Sequence, residues 1–133
     1  MTSNELFRGL LAAVAQHKTE LNADHNAIHR AFLQVLREVQ KPEISEELAI
    51  EDLIEIDYDP LYGQSAWFDR ALTRAQRDRI ISFPNPSYKT ICIRIDEQTG
   101  KAVLKKLGVS STIQHLADVF VGQLERGETV TGG

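Results

Sequence analysis

Two sequence patterns of different period constrain the fold of this chain. From residue 4 to residue 40, apolar side chains recur at alternating intervals of three and four, the spacing of one helix face. From Tyr88 to Asp96 the interval is two, because Ile91, Ile93 and Ile95 alternate with other residues, which predicts a β-strand. Together the two patterns indicate a mixed α+β fold.

The helical pattern of residues 4–40 permits either one long helix or two helices joined near Leu21–Asp24. Polar residues interrupt the apolar face in its middle, which weakens a continuous coiled coil. Asn22 and Asp24 have side chains that readily cap a helix N-terminus. We therefore expect two helices, the second of which is stopped by Pro42.

Three further segments in the middle of the chain have helix signals. Ser45 can cap a short acidic helix through Leu48 and Ile54, although apolar alternation from Ile50 to Ile56 also permits a strand. Ser65 can cap a second short helix. The sequence Thr-Arg-Ala-Gln that begins at Thr73 matches a capping box, which predicts that a new helical turn starts there.

The segment Lys101–Leu107 has two interpretations. It is a return strand if Gly100 occupies a left-handed position in a hairpin loop. It is a helix if Gly108 terminates it, and the spacing of its apolar residues favours the helix. A capping box that begins at Ser111 then predicts a final helix, which Gly127 ends.

Length and composition fit one domain with its own core. The chain has 133 residues, of which 42% are hydrophobic and 26% charged. We expect a single α+β domain over residues 1–126, with an N-terminal helical pair, a small antiparallel sheet of two to three strands and a C-terminal helix. Residues 127–133 are expected to form a flexible tail.

The single cysteine and the length of the apolar runs indicate where in the cell the chain acts. Cys92 has no second cysteine to pair with, which favours a reducing, cytoplasmic location. The longest wholly apolar run is Leu10–Ala15, far short of the roughly 20 residues of a spanning helix, so we expect no membrane partner.

Charge is segregated along the chain behind a modest net charge of −4. Residues 43–69 have nine acidic and no basic side chains, whereas residues 70–106 have nine basic and three acidic ones, a net +6. The two segments either neutralise each other, within the fold or across a symmetric dimer, or one of them faces a charged partner. We favour neutralisation.

Candidate site residues cluster in the same region. Arg70, Arg74 and Arg77 lie at intervals of four and three, so a continuous helix presents them as one basic row. Aromatic and arginine side chains dominate interface energetics, which makes Tyr62 and Trp67 the expected anchors of an interface, with the arginines setting orientation.

The metal signal is weaker than the interface signal. His25 and His29 are four residues apart and share a helix face, so both can reach one metal ion. A zinc site needs three or four converging ligands, and no paired-cysteine or His-Glu-x-x-His motif accompanies the two histidines. We expect no cofactor and no catalytic residue.

The sequence thus predicts a cytoplasmic protein-interaction or regulatory module without catalytic activity, which forms a homodimer or binds a further protein. The first alternative is nucleic-acid binding through the basic region Arg70–Lys106. The second alternative is a metal-dependent or small-ligand-binding protein. No family resemblance supports any of the three.

Overall fold

A computed structural model of the chain describes residues 1–22, 25–52, 58–59, 61, 64–83 and 90–132. This part of the chain contains six helices, a three-stranded antiparallel sheet and a two-stranded one. The predicted α+β class, with helices at the N-terminus and a helix at the C-terminus, is confirmed.

Helix α1 (Ser3–Ala15) is the central helix, since most of its side chains are buried. A capping box starts it: Thr2 Oγ1 accepts from the backbone N–H of Glu5, whose carboxylate accepts from the N–H of Thr2. It packs against the last two helices. A helix that is apolar on nearly every side needs such neighbours all round.

Helix α2 (His25–Val39) is separate from α1, so the prediction of two helices is confirmed. Strand β1 (Glu20–Asn22) lies between them and was not predicted. Leu21 of β1 is buried and lies opposite Ile91 in the sheet. The predicted cap Asp24 lies outside the described residues.

Helix α3 (Pro42–Leu48) corrects two expectations. Pro42 begins this helix, because its fixed φ suits the first helical position, and Ser45 lies inside the helix rather than capping it. The helix ends at Leu48, before Ile50, because Ala49 adopts a left-handed conformation with φ 48°. Residues 53–57 lie outside the described part of the chain.

Strands β2 (Tyr58–Asp59) and β3 (Gln64–Ser65) pair antiparallel and lead into α4 (Ala66–Arg77). The predicted cap is confirmed, since Ser65 Oγ accepts from the N–H of Phe68 at 3.2 Å. The predicted new start at Thr73 is wrong: its hydroxyl donates to the carbonyl of Asp69 at 2.9 Å, and the helix continues.

The main sheet has the order β1–β5–β4, with β4 at Ile81–Ser82 and β5 at Thr90–Ile93. The prediction of a strand over Tyr88–Asp96 is confirmed for the four residues of β5, Thr90–Ile93. Ile91 and Ile93 point into the core, as the alternation predicted. Residues 84–89 are not described.

Helix α5 (Glu97–Leu107) decides between the two interpretations of Lys101–Leu107 in favour of helix. Asp96 caps it by accepting from the N–H of Thr99 at 2.7 Å, and Gly108 ends it with φ 78°. The alternative interpretation, a hairpin loop at Gly100, is wrong, because Gly100 lies inside the helix and is buried.

Helix α6 (Ser110–Gly132) begins one residue before the predicted capping box and continues past Gly127, where we expected it to end. The flexible tail over 127–133 stays a prediction. None of the helices in the described residues is long and apolar enough to cross a membrane.

Candidate functional site

Helix α4 has one buried face and one charged face. Phe68, Ala71, Leu72 and Ala75 point into the core. Arg70, Arg74 and Arg77 are exposed on the other side of the same unbroken helix. The row predicted from their spacing is therefore present as an exposed feature of the fold.

Helix α1 lies beside this row. Arg74 Nη1 donates to Asn4 Oδ1 at 3.3 Å, and Arg8 Nη2 lies 2.7 Å from Asp78 Oδ2. These two contacts place the N-terminal half of α1 next to the C-terminal end of α4. Asp78 lies between two arginines, since its other oxygen is 3.8 Å from Arg77 Nε.

The end of α5 approaches α1 from its other side. Gly9 makes this possible, because a Cβ there would lie 2.7 Å from Leu107 Cδ1. The pKa of Glu5 is lowered, first by its hydrogen bonds with Thr2 and in smaller part by the charge of Lys106. The end of α5 therefore lies close to α1 at Gly9.

Exposed cations of α1 and α4 thus lie close together where these two helices meet. We call this set the basic surface. Its members are Arg8, Arg70, Arg74 and Arg77. Arg8 could not be assigned to it from the sequence, because Arg8 and Asp78 are 70 positions apart and no local pattern links them.

The ion pairs of the basic segment, in the part of the chain that the structure describes, lie within the segment or join it to α1. The pairs formed by residues 70–106 are Arg77–Asp78 and Lys101–Glu97 within the segment and Asp78–Arg8 with α1. Leaving Asp69 aside, none of these ion pairs joins a described residue of 43–69 to a described residue of 70–106. Mutual neutralisation of the two segments, within the fold or across a symmetric dimer, stays a prediction.

Part of the acidic segment nevertheless lies near the basic surface, because Ala49 and Asp52 contact the N-terminus and the first turn of α1. The terminal ammonium of Met1 donates to the carbonyl of Ala49 at 3.0 Å. Ser3 donates its backbone N–H to Asp52 Oδ1 at 2.6 Å and its hydroxyl to Asp52 Oδ2. The two Ser3 hydrogen bonds, the hydroxyl first, lower the pKa of Asp52.

The predicted aromatic anchors have different outcomes. Trp67 stacks on Phe32 with ring centroids 5.7 Å apart and planes 3° apart, and it is partly buried. Its spacing of three, seven and ten residues from Arg70, Arg74 and Arg77 places it at the end of the same helix stripe. Tyr62 lies outside the described residues.

Leu61 is an exposed apolar residue that the sequence reading missed. Its side chain is 82% exposed, and Asp59 Oδ1 accepts from its backbone N–H at 2.9 Å. Whether a leucine is exposed depends on the conformation of the turn that contains it. Composition alone could therefore not identify Leu61 as exposed.

His29 is placed in the core rather than at a metal site. It is 1% exposed, and its Nδ1 accepts from the backbone N–H of Ser65 at 2.8 Å. This nitrogen is therefore not available to a metal ion. The side chain of His25 is outside the described part. Among the described residues no group of three or more His, Cys, Asp or Glu side chains could hold a metal ion.

A groove of about 340 Å³ between α2 and α6 offers space to a small ligand. Glu38 is its best-connected residue, at 2.8 Å from Lys41 Nζ and 3.3 Å from His115 Nε2. These hydrogen bonds, Lys41 first, lower the pKa of Glu38. The full lining is Gln34, Glu38, His115, Asp118, Val119, Gly122 and Gln123.

Two classes of partner fit an exposed arginine row, namely carboxylate-rich protein segments and phosphate backbones. No family model, curated protein or solved structure matches this chain. The choice between the two classes therefore depends on the charges and contacts described above.

Proposed function

We propose that this chain is a non-catalytic interaction module that binds an acidic protein segment through the basic surface. The observation that carries the proposal is the exposed row of Arg70, Arg74 and Arg77 on a helix whose opposite face is buried. The core anchors that face, so the guanidinium groups are presented from a rigid element.

Binding rather than catalysis suits the chemistry of this surface. Guanidinium groups stay protonated at any physiological pH, so they position and neutralise anions but exchange no proton. Arginine also forms two parallel hydrogen bonds to one carboxylate, which adds directional specificity to charge attraction. Trp67, at the end of the row, supplies an apolar edge to the surface.

An acidic protein segment is favoured over a nucleic acid by the surrounding charge. The acidic segment 43–69 reaches the first turn of α1 through Ala49 and Asp52, and the whole chain has a net charge of −4. A phosphate duplex is wide and uniformly negative, so it would approach these carboxylates as well as the arginines. A short acidic peptide can follow the arginine row alone.

The finer expectations from the sequence belong to the same proposal. We propose that the module acts in the cytoplasm, where the single Cys92 stays reduced, and that it associates with a second copy of itself or with another protein.

A binding titration with a matched control tests the proposal. A fluorescein-labelled peptide of alternating glutamate and aspartate is titrated with wild-type protein, with Arg70→Gln/Arg74→Gln and with Arg30→Gln/Arg37→Gln. The control pair is exposed on a different helix, α2, on the side opposite its buried residues, and the substitution removes the same charge. We expect the first variant to lose about tenfold in affinity, or about 1.4 kcal/mol, and the control to lose less than threefold.

Equal losses in the two variants would contradict the proposal, because net charge alone would then explain binding. A labelled DNA duplex is titrated in parallel. Binding of the duplex in the absence of peptide binding would replace the proposal with the nucleic-acid alternative.

A further inference from the structure

We infer that the acidic occupant of the basic surface is helix α3 of a second copy of this chain, so that two copies form a symmetric dimer. The inference rests on the proposed function and names its partner. It is carried by the charge on α3 and by the place where α3 and α4 meet α1.

Helix α3 presents a row that complements the arginine row. Glu43, Glu46 and Glu47 are exposed and recur at intervals of three and one, which keeps the first and last of them on one helix face. In the described part of the chain, Glu46 and Glu47 form no ion pair, and neither does Arg70. Glu46 and Glu47 in one row and Arg70 in the other can therefore form ion pairs with a partner.

Both rows flank the same end of the molecule. The residue that caps the C-terminus of α3, Ala49, contacts Met1, and Arg74 of α4 contacts Asn4. The first turn of α1 therefore separates the two rows. A twofold axis near this turn brings α3 of each copy to α4 of the other, which forms the contact twice and closes the assembly.

Leu61 is an exposed apolar residue that can add an apolar contact to the interface. It lies between β2 and β3, and β3 leads directly into the N-terminus of α4. Burial of an exposed leucine removes apolar surface from water and so favours association. Charge pairs at the rim of an interface contribute much less, and they mainly set orientation and association rate. We therefore expect a weak dimer that salt dissociates.

Charge exchange between the two rows tests the inference. Glu46→Arg/Glu47→Arg makes both rows basic, and Arg70→Glu/Arg74→Glu makes both rows acidic. Glu43 is left unchanged, because an acidic residue in the first turn stabilises a helix. Circular dichroism first establishes that each variant keeps the wild-type helix content.

Sedimentation velocity at micromolar concentration gives the outcome. At low salt we expect wild-type protein at twice the 14.9 kDa of one chain, each charge variant alone as a monomer, and an equimolar mixture of the two as a dimer. At about 1 M salt, where the Debye length is about 3 Å, we expect monomers throughout. The control Arg30→Glu/Arg37→Glu should dimerise like wild type.

A monomeric mixture, or a wild-type protein that is monomeric at low salt, would overturn the inference. The proposed function is judged separately by the acidic peptide: it stands if Arg70→Gln/Arg74→Gln weakens peptide binding, even where no dimer forms. If Arg70→Gln/Arg74→Gln binds the peptide with wild-type affinity, the proposed function is wrong as well.

Discussion

The Nδ1 atom of His29 accepts a hydrogen bond from the backbone N–H of Ser65 at 2.8 Å, and the His29 ring lies edge-on against Phe68 with centroids 4.9 Å apart. Ser65 is the N-cap of α4, so this contact joins α2 to the start of the helix that presents the arginine row. The histidine thus has a positioning role for the basic surface.

Replacement of His29 by phenylalanine tests that role. The substituted ring can keep the packing against Phe68 but cannot accept the hydrogen bond, which leaves a buried N–H without this partner. We expect a loss of about 1–3 kcal/mol in the free energy of unfolding, measured by urea denaturation. The control Arg30→Ala, on the exposed side of α2, should change stability by less than about 0.5 kcal/mol. Wild-type stability in His29→Phe would show that the bond is dispensable.

Two helical glycines should respond in opposite directions to the same substitution. A Cβ at Gly122 meets nothing within 4 Å, so Gly122→Ala should stabilise α6 by about 0.5–1 kcal/mol. A Cβ at Gly9 would lie 2.7 Å from Leu107 Cδ1 and 3.2 Å from the buried Ile113 Cδ1. Overpacking typically costs about 1–3 kcal/mol, which exceeds the helix-propensity gain. Melting temperatures check both variants, and stabilisation by Gly9→Ala would contradict the packing of α1 against α5 and α6.

Asp52 makes the stability of the N-terminal end pH-dependent. Hydrogen bonds from Ser3 lower its pKa in the folded protein below the unfolded value. Its contribution is therefore present above the ordinary carboxyl pKa of about 4 and is lost as the pH falls through the folded pKa. We expect wild-type stability to decrease below about pH 4 more steeply than that of Asp52→Asn. The free energy of unfolding of both proteins is measured by urea denaturation at each pH. An equal decrease in the two proteins below about pH 4 would contradict this account.

The elements that the sequence predicted well are those whose signals are local. The alternation around Ile91 and Ile93, the Ser65 cap and the apolar spacing of α2 each depend on residues a few positions apart. The elements that were not predicted depend on residues far apart in the sequence. Strand β1 has only three residues, and it exists because Leu21 pairs with distant Ile91, which no local pattern records.

The candidate site divides in the same way. The row of Arg70, Arg74 and Arg77 could be predicted, because their spacing alone places them on one helix face. The contribution of Arg8 and the groove at Glu38 and His115 could not, since each depends on how separate helices pack. His29 also shows that shared helical spacing does not distinguish a ligand from a core histidine.

Trp67 offers an optical report on the basic surface, because it is the single tryptophan of the chain. Its ring stacks on Phe32 and borders the arginine row. We expect its fluorescence to change when the acidic peptide binds, and to remain unchanged on peptide addition to Arg70→Gln/Arg74→Gln at the same concentration. An identical change in both proteins would place the peptide away from the row.

Amide chemical shifts map the binding surface most directly. The acidic peptide is added to uniformly ¹⁵N-labelled protein, and shifts are recorded for every assigned amide. The account predicts the largest shifts at Asn4, Arg8, Arg70 and Arg74, with little change at Arg30 and Arg37. Shifts confined to the groove around Glu38 and His115, or no shifts at saturating peptide, would contradict it.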